Sequence, residues 1–177
     1  MAKTLTVLNI EDSERDSLIL RRHLQRAGYE VTLTRVETSE AMREALAARE
    51  WDIILSDYSL PHFNALSALE VLREGQRDVP FIIISGTIGE AVAVEAMRAG
   101  AHDYLMKDNL VRLAPTIERE LKEAESRRAR RQAEEALRLQ AHLLNTVEQA
   151  VIATDSNGTI IYWNRFAEKL YGWPAAE

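Results

Sequence analysis

Five short apolar runs, TLTVLNI (4–10), VTLTRV (31–36), WDIILS (51–56), PFIIIS (80–85) and HDYLM (102–106), punctuate the first part of the chain. Several are apolar along their whole length and not at every second residue. That pattern marks strands covered on both faces, as in a parallel sheet. Between the runs lie stretches of helical period. In SERDSLILRRHLQRAG, Leu18, Leu20 and Leu24 recur near helical spacing, and Gly28 supplies a stop. TSEAMREALAARE, ALSALEVLREG and IGEAVAVEAMRAG read the same way. Five strand–helix units in succession predict an α/β fold, a doubly wound five-stranded parallel sheet with helices on both sides. Sheets of this kind bind ligands at the carboxyl ends of their strands, where strand order reverses.

From about Leu110 the character changes. NLVRLAPTIERELKEAESRRARRQAEEALRLQAHLLNTVEQ has no glycine, and its one proline, Pro115, lies near the start. The stretch predicts a long helix, kinked or restarted at Pro115. Leu110, Leu113, Ile117, Leu121 and Ala124 form an apolar stripe, which Leu137, Leu144 and Val147 resume. RRARR interrupts the stripe and is expected to be a solvated face paired with nearby glutamates, so a strong coiled coil is not expected. After Ala150 two short runs, AVIATD and TIIYWN, flank an Asn157-Gly158 hairpin turn, and RFAEKLYGWPAAE begins a helical pattern. Two strands and one helix do not bury a core alone, so this segment reads as the opening of a larger domain.

Charge and composition narrow the function classes. A net charge of −6 does not favour nucleic-acid binding, which needs a clustered basic face. There is no cysteine, which excludes disulfides and thiolate metal sites. No stretch reaches the roughly 20 uncharged residues that a membrane span requires, and the opening MAKTLTVLNIEDSERD turns acidic too early for a signal peptide. A cytoplasmic location without membrane contact is expected. His23, His62 and His102 share no metal-ligand spacing, and LLNTV after His142 lacks the charged residues of a histidine phosphorylation box.

The polar residues at the strand ends carry the chemistry. The first run ends in Glu11-Asp12, the third in Asp57, the fourth in Ser85 and the fifth in Lys107. On one edge of a parallel sheet these bring together three carboxylates, a hydroxyl and an ammonium. Singly, each has an ordinary explanation: a helix N-terminus for Glu11 and Asp12, an Asx turn before Pro61 for Asp57, turn chemistry for Ser85, a surface lysine, a core Tyr104. At four successive strand ends they make a site. Three adjacent carboxylates need a cation, and hard oxygen donors with open water positions suit Mg²⁺. Metal and lysine together clamp a phosphoryl group, and a carboxylate in the clamp is placed to attack phosphorus.

The order ED, SDYSLP, IIISGT and YLMKDN resembles the receiver domain of two-component response regulators, over roughly residues 3–125. The resemblance implies the flavodoxin-like receiver fold. It implies Asp57 as phospho-acceptor, with Glu11, Asp12, Asp57 and the backbone carbonyl of Ser59 holding Mg²⁺. Ser85 and Lys107 are then the phosphoryl-binding residues, and Tyr104 the switch aromatic. A histidine kinase or phosphotransfer protein is the implied donor, and the domain is a signalling module, not an enzyme beyond its own phosphoryl transfer and autodephosphorylation. The sequence departs from the family after Asp57, where Asn64 is expected to supply a left-handed conformation in place of glycine. It departs again after Lys107, where Asp108 stands in place of proline.

LLNTVEQAVIATDSNGTIIYWNRFAEKLYGW resembles the opening of a PAS domain. The expected organisation is a receiver over 1–125, a helical signalling linker over 126–142 and a truncated PAS α+β segment over 143–177, with a homodimer formed through the linker helix. Two alternatives remain at this stage. An aspartyl-nucleophile phosphatase of haloacid dehalogenase type needs a second aspartate two residues after the nucleophile, where this chain has Ser59. A degenerate receiver acting as a binding module does not need the Asp57, Ser85 and Lys107 set that is present.

Overall fold

The five apolar runs are strands: β1 (Lys3–Ile10), β2 (Tyr29–Val36), β3 (Ile53–Asp57), β4 (Phe81–Ser85) and β5 (Asp103–Met106). They form one parallel sheet in the order β2-β1-β3-β4-β5. The computed structural model describes residues 3–174, apart from 62, 87–89 and 147–148. The chain divides into two compact units, Met1–Ser126 and Arg127–Glu177.

In the first unit, helices α1 (Glu14–Arg26), α2 (Ser39–Ala48), α3 (Ala65–Glu74) and α4 (Glu90–Ala99) alternate with the strands, and α5 (Leu113–Thr146) follows. Successive strand residues point to opposite faces, so the sheet feeds two cores. Leu8, Ile10, Ile54, Phe81 and Ile83 pack on one side with Met42, Leu46, Leu69 and Ala96 from α2, α3 and α4. Val7, Ile53, Leu55, Ile82 and Ile84 pack on the other with Leu20 and Leu24 of α1 and Leu113 and Ile117 of α5. Burial on both faces is the reason the central strands β3 and β4 are almost continuously apolar, whereas the edge strand β2 alternates buried Tyr29 and Val31 with exposed Glu30 and Thr32.

Helix starts follow capping chemistry. Ser13 Oγ accepts from the Asp16 N–H at 3.2 Å, and Thr38 Oγ1 from the Ala41 N–H at 3.2 Å. Asn64 corrects the sequence expectation. Its φ of −81° is not left-handed, and its side chain caps α3 by accepting from the Ser67 N–H at 2.9 Å. Asparagine suits both roles, and here the free amides of α3 decide between them.

Lys107–Arg112 forms a 3-10 segment, and α5 restarts the helix at Leu113. Pro115 therefore stands in the first turn, where its missing N–H has no intrahelical partner to lose. The first part of the expected stripe is buried, Leu113, Ile117 and Ala124, with Leu110 and Leu121 packed against the core. Leu137 does not resume it: it is exposed and falls about 200° around the helix from Ile117.

The second unit contains the end of α5, the antiparallel pair β6 (Ile152–Thr154) and β7 (Ile160–Trp163), and α6 (Arg165–Tyr171). Arg130 pairs with Glu134 one helical turn on, at 2.9 Å, as expected of a solvated arginine face. Gly158 turns the hairpin with φ +85°, and Asp155 Oδ1 secures it by accepting from the Asn157 and Thr159 N–H groups, both at 2.9 Å. Buried Asn164 ties the unit together. Its Nδ2 donates to the carbonyls of Leu144 and Gln149, and its Oδ1 accepts from the Val151 and Ala167 N–H groups. Val147, which the sequence places on the linker stripe, lies outside the described residues.

Candidate functional site at the carboxyl edge of the sheet

Strand register assembles the site. Ile10 pairs with Ser56, Asp57 with Ile84, and Ser85 with Met106. The residues that end or follow β1, β3, β4 and β5 therefore share one edge. Strand order reverses between β1 and β3, which places Glu11, Asp12 and Asp57 at the switch point. Carboxylate oxygens of these three lie within 4.8 Å of one another. The donor set is hard oxygen, with Glu11 buried, Asp57 half-buried and Asp12 exposed, and it fits a divalent cation of the Mg²⁺ type.

Lys107 Nζ closes the cluster. It donates to Glu11 Oε2 at 3.0 Å, Asp57 Oδ2 at 2.9 Å and Asp16 Oδ2 at 2.6 Å. Burial alone lowers a lysine, but the bonds to Asp16, Asp57 and Glu11 override it and raise the Lys107 pKa. Burial of Glu11 pushes its carboxyl above the ordinary value, against the lowering effect of Lys107 and of the Ser13 N–H that it accepts at 3.1 Å. Asp16 is pulled below its ordinary value, chiefly by the hydrogen bond from Lys107.

Each sequence-predicted residue has a place here. Ser85 is buried at the end of β4. Tyr104 is half-buried on β5 and its hydroxyl donates to Met106 Sδ at 3.3 Å. Burial raises the Tyr104 hydroxyl, and the Ser85 side chain partly offsets this, so the two lie together. Ser59 offers its N–H to Asp57 Oδ1 at 3.3 Å, which is the local turn that the sequence suggested. It brings no second carboxylate, so acid–base hydrolysis of the dehalogenase type has no residue at that position. His102 Nδ1 accepts from the Phe81 N–H at 3.1 Å, a structural role, and His62 lies outside the described residues.

Three contributors escape the strand-end pattern. Asp16 reaches Lys107 from the first turn of α1. Arg35, on β2, donates through Nη1 to the carbonyls of Glu11 and Asp12 at 3.0 and 3.1 Å and holds the acidic loop. Asn9, inside β1, accepts from Ser17 Oγ and donates to the Leu55 carbonyl at 3.1 Å, which pins α1 to β1 and β3.

The model of the response regulator receiver domain matches residues 7–118. The chain belongs to the response regulator receiver family. It is thus a receiver module of the two-component phosphorelay type, a signalling domain. A PAS fold model matches residues 138–177. The chemotaxis protein CheY1 of Helicobacter pylori is 28% identical over 105 residues, covering 58% of this chain and 85% of CheY1. The DNA-binding transcriptional regulator NtrC of Rhizobium meliloti is 30% identical over 123 residues, covering 69% of this chain but 25% of NtrC. The chain thus spans most of one relative and a quarter of the other. Among solved structures, FixJ-N superposes with a TM-score of 0.58 at 27% identity, covering 67% of this chain and 94% of that one. The signal receiver domain of a LuxO repressor from Vibrio parahaemolyticus has a TM-score of 0.63 at 23% identity, covering 71% and 96%, which is likeness of fold.

Proposed function

We propose that Asp57 accepts a phosphoryl group from a phosphohistidine of a histidine kinase or phosphotransfer protein. The observation that carries this reading is Lys107 Nζ, 2.9 Å from Asp57 Oδ2 beside the Glu11–Asp12–Asp57 cluster. An Asp57 oxygen attacks phosphorus, the P–N bond breaks, and its electron pair stays on the imidazole nitrogen. The product is an acyl phosphate. Water later attacks phosphorus, the P–O bond to Asp57 breaks, and carboxylate, inorganic phosphate and a proton result. Glu11, Asp12, Asp57 and the Ser59 carbonyl would hold Mg²⁺, which supplies charge compensation for the phosphoryl oxygens. Lys107 donates to a phosphoryl oxygen, Ser85 donates to another, and Tyr104 follows Ser85 inward.

The proposed organisation is a receiver over 1–125, a signalling linker over 126–142 and the start of a PAS domain over 143–177, in a cytoplasmic protein that passes the signal to its downstream region. Among the described residues no helix is long and apolar enough to cross a membrane. A homodimer through the linker helix completes the proposal. In its favour, Leu137, Leu139 and Leu143 are exposed on α5.

Acetyl phosphate with Mg²⁺ tests the acceptor. The expected result is one hydroxylamine-sensitive phosphoryl group per chain, absent in Asp57→Asn and absent when Mg²⁺ is chelated. Undiminished label in Asp57→Asn overturns the assignment.

A further inference from the structure

Asp16 stands on the first turn of α1, at the rim of the site, and makes the shortest of the three contacts to Lys107, 2.6 Å against 2.9 and 3.0 Å. An ammonium has three N–H donors, and Glu11, Asp16 and Asp57 accept them all. The three acceptors are not equivalent. Glu11 and Asp57 also belong to the carboxylate cluster with Asp12, whereas Asp16 lies outside it. A cation drawing on that cluster competes with Lys107 for Glu11 and Asp57. A phosphoryl group on Asp57 alters the Asp57 oxygens as well. Asp16 contributes no oxygen to that cluster.

The position of Asp16 is built, not incidental. Its N–H donates to the Ser13 cap at 3.2 Å. The next residue, Ser17, is buried and bonded to Asn9, whose Nδ2 donates to the Leu55 carbonyl at 3.1 Å. This buried chain sets the rotation of α1 about its own axis, and with it the direction of the neighbouring Asp16 side chain.

We propose that Asp16 is a positioning residue for Lys107. It holds the ammonium over the acceptor while Glu11 and Asp57 are engaged elsewhere, so that Lys107 meets the phosphoryl oxygen already oriented. Without it, a side chain that is 26% exposed has water as its alternative partner, and ordering its flexible stem costs entropy at the moment of reaction. The inference rests on Asp57 being the acceptor.

The test is phosphorylation by acetyl phosphate at saturating Mg²⁺, with NMR of the Lys107 side chain in protein kept in chelator. Asp16→Asn is expected to slow phosphorylation on the order of tenfold through loss of orientation. Asp16→Glu is expected to recover most of that loss. In a Lys107→Ala background Asp16→Asn is expected to change nothing further. In chelator, Asp16→Asn should move the Lys107 side-chain signals while core amide signals stay in place. An unchanged rate, an undiminished effect in the Lys107→Ala background, or unmoved Lys107 signals each overturn the proposal. Asp57→Asn is run alongside: label persisting there removes the acceptor assignment, and the NMR result still decides whether Asp16 holds Lys107.

Discussion

Lys107 Nζ lies 2.9 Å from Asp57 Oδ2, so the ammonium already rests on the carboxylate that is the proposed acceptor. It shares that carboxylate, and Glu11, with the cluster assigned to the metal. A cation drawing on that cluster is therefore expected to compete with the lysine. Lys107→Ala is expected to tighten Mg²⁺ binding by roughly three- to tenfold, because it removes a positive charge a few ångströms from the ligands in a partly solvated site. Calorimetric titration measures this directly. Weaker binding in Lys107→Ala would mean that the lysine orders the ligands more than it competes for them.

Glu11 gives the site a pH dependence of defined sign. Burial raises its carboxyl above 4.5 in the fold. The folded protein then binds that proton more tightly than the unfolded chain does. This stabilising contribution is fully present below 4.5 and lost as pH rises through the raised folded value. In chelator, Glu11→Gln should therefore gain stability relative to the parent protein at about pH 7, and the advantage should shrink toward about pH 5. Urea unfolding at the two pH values measures it. An advantage that does not change with pH contradicts the sign.

The Ser17–Asn9 bond is buried at both ends. Ser17→Ala leaves Asn9 Oδ1 without that donor, and the expected loss is roughly 1–3 kcal/mol of stability. Chemical denaturation reads the loss. A change below about 0.5 kcal/mol would show that the bond does not secure α1.

Asp57, Ser85 and Lys107 were legible in the sequence because apolar runs announce strands, and strand ends of a parallel sheet share an edge whatever the loops do. Asp16 was not. In ERDSLILRRHL it reads as an ordinary first-turn acid, favourable to the helix dipole, and its aim at Lys107 follows from the Ser17–Asn9 bond across elements. Arg35 was hidden for the same reason, since its partners are carbonyls far along the chain. Asn64 misled because one residue type serves two local geometries. The helical pattern beginning at Ala65 was the signal for a cap. That Lys107 shares Glu11 and Asp57 with the carboxylate cluster was likewise out of reach, because spacing shows that groups converge but not which atoms they share.

The linker helix carries the last prediction. Leu137 is 66% exposed and Leu143 56%, while Leu144, one heptad from Leu137, is half-buried. Leu137 and Leu144, seven residues apart, share one face of α5, and a second copy of the helix, side by side and parallel, supplies the apolar surface that Leu137 lacks. Arginines from Arg127 to Arg131 stand in the way of a continuous seam, so the pairing is expected to be weak and responsive to a change in the receiver. The second unit offers a competing contact, since Ile161 and Trp173 are exposed by 67% and 69%. Light scattering on the whole chain at concentrations on the order of 10 μM separates the two. The parent protein is expected to be dimeric, Leu137→Glu with Leu144→Glu monomeric, and Ile161→Glu still dimeric. A dimer that survives the leucine changes but is lost in Ile161→Glu would move the interface from the helix to the PAS segment.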